Sequence, residues 1–202
     1  GCYAQLHKDE ENPLIDKIFG IYEKPDVVEI IKSNEKKFVT EINEHRDFRY
    51  EKLSNFNRTR ATIKIQDGCN NRCSYCTICI ARGLSRSCDE KDVLEQIDAL
   101  TRNGYNEIVL TGIHVGQWGL DFPEKKNLLD LLKLIDKTDA KTVRIGSLDP
   151  NELTEELIDF LSSSEKFCPH FHLSLQSLCD KTLKNMNRHY SYEKIENVVM
   201  KL

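Results

Sequence analysis

A short segment with three closely spaced cysteines constrains this chain more than any other feature. Cys69, Cys73 and Cys76 lie at CxxxCxxC spacing within residues 66–87. Thiolates are the ligands that iron–sulfur clusters and zinc favour. A cubane cluster has four irons and is ordinarily held by four cysteines, so three protein ligands leave one iron open to a substrate or cofactor. The spacing therefore predicts an iron–sulfur site with a vacant coordination position.

The same segment resembles the cluster-binding loop of radical S-adenosylmethionine (radical SAM) enzymes, because the aromatic Tyr75 precedes the last cysteine. The resemblance implies a [4Fe-4S] cluster whose open iron binds the amino and carboxylate groups of S-adenosylmethionine. Electron transfer would then split the cofactor into methionine and a 5′-deoxyadenosyl radical. In such enzymes the protein supplies binding, orientation and exclusion of water. The resemblance also implies that Tyr75 packs near the adenine.

Two other interpretations of the cysteines stay open. Cys79 and Cys88 lie near enough to supply a fourth ligand to a structural zinc, although zinc sites more often combine two CxxC-like pairs or mix Cys with His. Burial as a small apolar residue is the commoner fate of such a Cys79. Disulfides are typical of secreted domains, and the sequence shows no secretory segment. A zinc-stabilised module that binds RNA or protein without catalysis is therefore the alternative from another functional class.

Composition limits the partners of the chain. The 202 residues carry a formal net charge of −4, so there is no overall basic field to attract nucleic acid. The sequence contains no apolar run of membrane-spanning length and no targeting segment at its start. We expect a cytoplasmic monomer with no membrane partner. The first residue is Gly1 and the last residues lie in a predicted helix, so we also expect an excised piece of a longer protein.

Helical and strand patterns alternate along most of the chain. A strand from Ile63 leads into the cysteine segment, and a helix is predicted from the N-cap Asp89 to Gly104. Further strands are predicted from Glu107, Thr142 and His170, and further helices from Asn127, Asn151, Asp180 and Ser191. This order predicts an α/β fold with a parallel sheet, namely a partial (β/α) barrel over residues 53–202. Residues 1–52 are predicted to be the tail of a small α/β domain with a charged linker.

Polar or small residues follow each predicted strand. Active residues of such barrels lie on loops at the carboxyl ends of the strands. Tyr75 follows the first strand, and Gly112, Ser147 and Gln176 follow the next three. We predict that these four residues line the S-adenosylmethionine pocket. Gly112 and Ser147 can equally serve only to begin turns.

Several further segments resemble methylthiotransferases, a radical SAM family, and together they cover essentially the whole chain. They are GCYAQ, IQDGCNNRCSYC, IARGLSRS, EIVLTGIHVGQWG, RIGSLDP, LSLQS and LKNMNRHY. The resemblance implies an N-terminal domain with a second, auxiliary [4Fe-4S] cluster, for which Cys2 matches the last ligand. The other two auxiliary ligands and an RNA-binding β domain would lie outside this sequence. We therefore expect the isolated chain to cleave S-adenosylmethionine without modifying RNA.

The segments ARGLSRS and TGIHVGQWG most resemble the branch that modifies N6-threonylcarbamoyladenosine at position 37 of tRNA. The implied reaction replaces C2–H of the modified adenine with a methylthio group and consumes two molecules of S-adenosylmethionine. Its implied partners are tRNA and a low-potential electron donor. The branches acting on isopentenyl-adenosine tRNA or on a ribosomal protein are the alternatives.

Several side chains are candidates for RNA contacts. Cationic groups position a nucleic-acid backbone, and aromatic rings stack on bases. The candidates are Arg82, Arg86, Arg188 and His189 for phosphates, and His114 and Trp118 for the base. A solvated surface, or a cover over the barrel rim for Trp118, is an equal alternative.

Leu178 and two histidines around the fourth predicted strand give further local predictions. Leu178 replaces a glycine expected after LQS, so the loop after Gln176 is expected to differ in shape, since glycine often serves a positive φ there. His170 and His172 alternate on one strand and are interpreted as packing residues.

Overall fold

The computed structural model describes residues 1–10, 12–50, 52 and 58–202. The strands are β1 Ile18–Phe19, β2 Lys37–Phe38, β3 Arg60–Lys64, β4 Gln66–Asp67, β5 Arg86–Ser87, β6 Glu107–Thr111, β7 Thr142–Ile145, β8 Ser147–Leu148 and β9 His172–Leu173. The α-helices are α1 Cys2–Leu6, α2 Val27–Lys32, α3 Ile78–Ala81, α4 Glu90–Arg102, α5 Leu128–Ile135, α6 Glu155–Ser163, α7 Asp180–Asn185 and α8 Tyr192–Lys201. Short 3₁₀ turns span Lys24–Asp26, Ile42–Glu44 and Val115–Gln117.

A parallel sheet in the order β3-β6-β7 forms the centre of the chain. Its register sets Ala61 beside Ile108 and Ile108 beside Val143, and all three side chains are fully buried. Because side chains alternate along a strand, one face of the sheet is continuously apolar. After Gly146 the chain continues from β7 into β8, which pairs in parallel with β9. The predicted α/β fold with a parallel sheet is confirmed.

Helices α4, α5 and α6 cover the apolar face of this sheet and share one hydrophobic core with it. Helix α4 begins after Asp89, whose carboxylate accepts a hydrogen bond from the Lys91 amide at 2.9 Å. Helix α5 begins with a capping box between Asn127 and Asp130. Such caps satisfy amide groups that have no partner inside the helix. The predicted starts of both helices are confirmed.

The N-terminal segment contains a two-stranded parallel pair, β1–β2. Helix α1 packs against α3, the helix that follows the cysteine segment. Cys2 therefore lies on the side of the core where that segment begins and ends. The predicted boundary between residues 52 and 53 adjoins positions outside the described part of the chain.

Three local predictions were wrong. Helix α6 begins at Glu155 after its cap Thr154, rather than at Asn151, and β9 spans only two residues. His170 and His172 are exposed rather than packed, and His172 Nδ1 lies 2.6 Å from Ser147 Oγ. In the following loop the residue with positive φ is Gln176, with φ 61°, and Leu178 has a negative φ. Among the described residues, no helix is long and apolar enough to cross a membrane.

Candidate metal centre

The three clustered cysteines line one cavity of about 160 Å³ at the carboxyl edge of the sheet. Of the predicted pocket residues, Tyr75, Ser147 and Gln176 line the same cavity. The remaining cysteines do not line it; they are Cys2, Cys79, Cys88, Cys168 and Cys179. Gly112, the fourth predicted pocket residue, does not line the cavity. A Cβ atom at this position would lie 2.9 Å from Gln66 Oε1. The fold thus brings together, in one small cavity, residues that are up to 119 positions apart, from Cys69 to Arg188.

Hydrogen-bond donors surround the sulfur of Cys69. His114 Nδ1 and the backbone nitrogen of Asn71 each lie 3.5 Å from this sulfur. Burial raises the pKa of the Cys69 thiol, but the two donors outweigh it and hold that pKa below its usual value. His114 also pairs with Glu152. Burial opposes the charged form of His114, yet its contacts with Cys69 and Glu152 raise its pKa to about 10. The surroundings therefore favour a thiolate at Cys69, the form that ligates metals.

Arg188 donates a hydrogen bond to Cys73, as His114 does to Cys69. Its Nη1 lies 3.3 Å from Cys73 Sγ, and its Nη2 lies 2.6 Å from Asp149 Oδ2 and 3.0 Å from the Ser174 carbonyl oxygen. The Arg188 and Asp149 side chains are 7% and 6% exposed. A guanidinium so enclosed has no free face for a phosphate. The prediction of an RNA contact for Arg188 is therefore wrong, and the residue lines the same cavity as the three cysteines.

The segment after α7 holds the cysteine loop in place. The Ser74 amide donates to the Met186 carbonyl at 3.1 Å, and the Ser74 hydroxyl donates to the Asn185 carbonyl at 2.8 Å. The Asn187 side chain donates to the Arg72 carbonyl at 3.0 Å. Arg72 and Asn187 both have positive φ, 47° and 55°. Such backbone costs of order 1 kcal/mol and persists where surrounding contacts determine it.

Gln66 joins the ends of two strands beneath the loop, a role that sequence reasoning missed. Its side chain is fully buried. Its Nε2 donates to the Gly68 carbonyl and to Ser85 Oγ, both at 2.8 Å. Its Oε1 accepts hydrogen bonds from the amides of Ile113 at 3.0 Å and His114 at 2.7 Å. The sequence signal for this role is a polar residue at the end of an apolar strand, directly before the cysteine loop.

The donor set of the cavity suits a cluster better than a single ion. All cysteines are free thiols, and two of the three in the cavity receive N–H donors. One zinc ion would hold its sulfurs about 2.3 Å from itself, and no group of three His, Cys, Asp or Glu side chains in the described ranges is arranged to hold one metal ion. A cubane binds each thiolate at a different iron and so keeps the sulfurs apart. The residues present fit a cubane held by three cysteines.

A second group of charges links Cys2 to the base of the cysteine loop. Arg82 Nη1 lies 3.0 Å from Asp67 Oδ1. Burial opposes the charged form of Arg82, but Asp67 and Cys2 raise its pKa. Arg86 is 5% exposed and lies 3.8 Å from Asp67. The prediction of an RNA contact is therefore wrong for Arg86, which is enclosed. Arg82 is partly exposed but is turned toward Asp67 and Cys2.

Trp118 is also enclosed. Its side chain is fully buried in the core, and its Nε1 donates to the Cys88 carbonyl at 2.8 Å. The prediction that it stacks on a base is wrong, because neither ring face is accessible. Cys88 is likewise buried, and burial raises the pKa of its thiol to about 12. Cys88 is thus a core residue, and Cys79 is half-buried outside the cavity.

Comparison with known families agrees with this geometry. The family model described as "Radical SAM superfamily" matches residues 63–202. The chain is a member of the radical SAM superfamily. The match begins within β3 and includes the cysteine loop and every strand of the parallel sheet that follows.

The relatives of this radical SAM chain include all three methylthiotransferase branches. It is 37% identical to the threonylcarbamoyladenosine tRNA methylthiotransferase MtaB of Thermotoga maritima, across 100% of the chain and 47% of that protein. It is 34% identical to the tRNA-2-methylthio-N(6)-dimethylallyladenosine synthase of Carboxydothermus hydrogenoformans, across 100% and 48%. It is 32% identical to the ribosomal protein uS12 methylthiotransferase RimO of Clostridium botulinum, across 100% and 47%. The predicted resemblance to methylthiotransferases is confirmed. The chain spans about half the length of these relatives.

The fold also resembles a solved radical SAM structure. The radical S-adenosylmethionine methyltransferase TsrM from Kitasatospora setae matches with a TM-score of 0.57 at 18% identity. The match covers 70% of this chain and 28% of that protein. At this identity the likeness concerns the radical SAM fold alone.

Proposed function

We propose that this chain is the radical core of a tRNA methylthiotransferase that adds a methylthio group to C2 of N6-threonylcarbamoyladenosine at position 37 of tRNA. The observation that carries the proposal is the cavity in which Cys69, Cys73 and Cys76 meet, with no fourth cysteine among its described lining residues. The identity to MtaB of Thermotoga maritima favours this substrate over isopentenyl-adenosine tRNA or a ribosomal protein.

In this proposal Cys69, Cys73 and Cys76 hold a [4Fe-4S] cluster. When bound, the cluster and S-adenosylmethionine supply the radical that abstracts hydrogen from the substrate. The chain's own residues surround the ligand sulfurs with hydrogen-bond donors, since His114 donates to Cys69 and Arg188 donates to Cys73. Hydrogen bonds to cluster sulfurs also tune the reduction potential.

Three further residues would shape the cofactor pocket. Tyr75 is 51% exposed at the mouth of the cavity and has a free ring face for a purine. The Ser147 hydroxyl is oriented by His172. Gln176 projects from a left-handed backbone position in the loop after β9. We propose that Cys2 contributes to a second, auxiliary cluster in the full-length protein, and that tRNA and a low-potential electron donor are its partners.

Anaerobic reconstitution tests the metal assignment with a matched pair of variants. Cys76→Ala is expected to lose the iron and sulfide content and the 5′-deoxyadenosine product, because it removes one of three ligands. Cys79→Ala, three positions along but outside the cavity, is expected to keep both. Equal losses in the two variants, or stoichiometric zinc in protein purified without air, would contradict the assignment.

The substrate needs a separate experiment. Mass spectrometry of tRNA nucleosides from a strain lacking the gene is expected to show N6-threonylcarbamoyladenosine without its methylthio derivative. Loss of the methylthio group from isopentenyl-adenosine, or from a ribosomal protein, would assign the chain to another branch.

A further inference from the structure

A basic cleft of about 420 Å³ is lined by residues of the N-terminal segment and by residues of the radical core that flank the cysteine loop in sequence. Four cationic side chains line it, and Asp67 is the one acidic residue among its described lining residues; the cations are Lys24, Arg49, Lys64 and Arg82. The remaining walls are apolar or aromatic, from Phe19 to Tyr50. The cleft therefore combines positive charge with an apolar surface.

Of the four lining cations, Arg49 is paired with Asp26 at 2.8 Å, whereas the cations at the base of the cleft share a single carboxylate. Lys64 Nζ lies 2.6 Å from Asp67 and Arg82 lies 3.0 Å from it, while Arg86 approaches the same carboxylate from behind at 3.8 Å. Asp67 also accepts a hydrogen bond from the Gly68 amide at 2.9 Å. The Asp67 carboxylate is therefore a shared counter-charge for three cations. Buried charge without a counter-charge is costly, so this arrangement favours an added anion.

Two buried guanidinium donors lack a partner among the described residues, one on Arg82, which lines the cleft, and one on Arg86, which lies behind it. Arg82 Nε and Arg86 Nη1 form no hydrogen bond within the described part of the chain. Buried N–H groups are nearly always paired, and an exception points to a water or ion. Guanidinium donors match the oxygens of a phosphate in spacing and charge.

We propose that this basic cleft binds the phosphate of a nucleotide, with the nucleoside against the apolar and aromatic wall. Arg82 directly follows α3, against which the Cys2-bearing helix α1 packs, and Asp67 precedes Cys69 by two positions. The cleft therefore holds the phosphate between the two segments that carry the proposed cluster ligands. The binding is tested without turnover, so its failure leaves the proposed function untouched.

Thermal unfolding of the purified protein tests this proposal at constant ionic strength. Adenosine 5′-monophosphate and a short RNA oligonucleotide are expected to raise the melting temperature, whereas adenosine and potassium chloride are not. Lys64→Met is expected to weaken the apparent affinity for adenosine 5′-monophosphate roughly tenfold, since it removes a charge-assisted contact. Lys126→Met removes a lysine paired with Glu90 outside the cleft and is expected to change nothing.

The exposed rim offers a variant that cannot disturb folding. Lys24 is exposed. Lys24→Met is expected to weaken the binding of adenosine 5′-monophosphate, measured by phosphorus NMR line broadening. Stabilisation by inorganic phosphate but not by the nucleotide would limit the cleft to an adventitious ion only. Equal affinity in Lys64→Met, Lys24→Met and the parent protein would overturn the proposal.

Discussion

Replacing Arg188 by methionine separates the effect of burial from the effect of distance in an ion pair. Arg188 and Asp149 lie 2.6 Å apart and are 7% and 6% exposed. Lys133 and Glu156 form a pair of similar length, 3.1 Å, but are 47% and 73% exposed. The two pairs differ in solvent access, and Arg188 also contacts Cys73 and the Ser174 carbonyl; Lys133→Met is therefore the control for loss of an exposed pair.

The magnitudes differ because Arg188→Met leaves the Asp149 carboxylate charged, buried and without its cation. Loss of one partner of a buried pair costs about 3–5 kcal/mol. Loss of an exposed pair costs about 0–1 kcal/mol. For a chain of this size each kcal/mol corresponds to roughly 2–4 °C in melting temperature. We expect Arg188→Met to melt roughly 6–20 °C below the parent protein and Lys133→Met to melt within about 4 °C of it.

Chemical denaturation of the metal-free proteins measures both losses. The double variant Arg188→Met/Asp149→Asn removes the stranded charge, while the carboxamide oxygen introduced at that position can still accept from the Asn151 amide, as Asp149 does at 3.0 Å. It is therefore expected to recover part of the stability lost by Arg188→Met alone. Similar losses in Arg188→Met and Lys133→Met, or no recovery in the double variant, would refute the reasoning.

Three other outcomes follow from the burial of single side chains. Cys179 is exposed and its thiol pKa is lowered by backbone donors, whereas burial raises the pKa of Cys88 to about 12. Iodoacetamide at pH 8 should therefore modify Cys179 quickly and Cys88 only after unfolding. Mass spectrometry of the alkylated protein measures both reactions. Gln66→Leu leaves several buried partners unpaired and should cost about 3 kcal/mol or more in the free energy of unfolding; a loss near zero contradicts its joining role. Trp118, the sole tryptophan, should fluoresce as a buried indole and show no quenching when RNA is added.

The parts of this structure that depend on neighbouring residues were predictable from sequence. The caps at Asp89 and Asn127 and the apolar alternation of β3, β6 and β7 are local signals, and they determine the helix starts and the parallel sheet. The meeting of Ser147 and Gln176 with the cysteines also follows from the rule on strand ends.

Contacts between distant segments were not predictable in this way. Arg188 is 115 positions from Cys73, and nothing in a basic, polar motif distinguishes a cation that faces a sulfur from one that faces RNA. Trp118 follows a strand end, which is where a base-stacking residue is expected. Its indole N–H, however, donates to the Cys88 carbonyl inside the core. The positive φ at Gln176 reflects the path of the whole loop, which one residue type does not determine.

The hydrogen bonds from residues 185–187 to the cysteine loop have a consequence for biosynthesis. Chains emerge from the ribosome N-terminus first, so Cys69, Cys73 and Cys76 are synthesised well before Asn185 and Asn187. Until α7 has emerged, the nascent thiols lack the backbone partners that give their loop its final shape. Cluster delivery is therefore expected after α7 has been translated, and carriers that donate iron and sulfide should prefer chains that already contain α7.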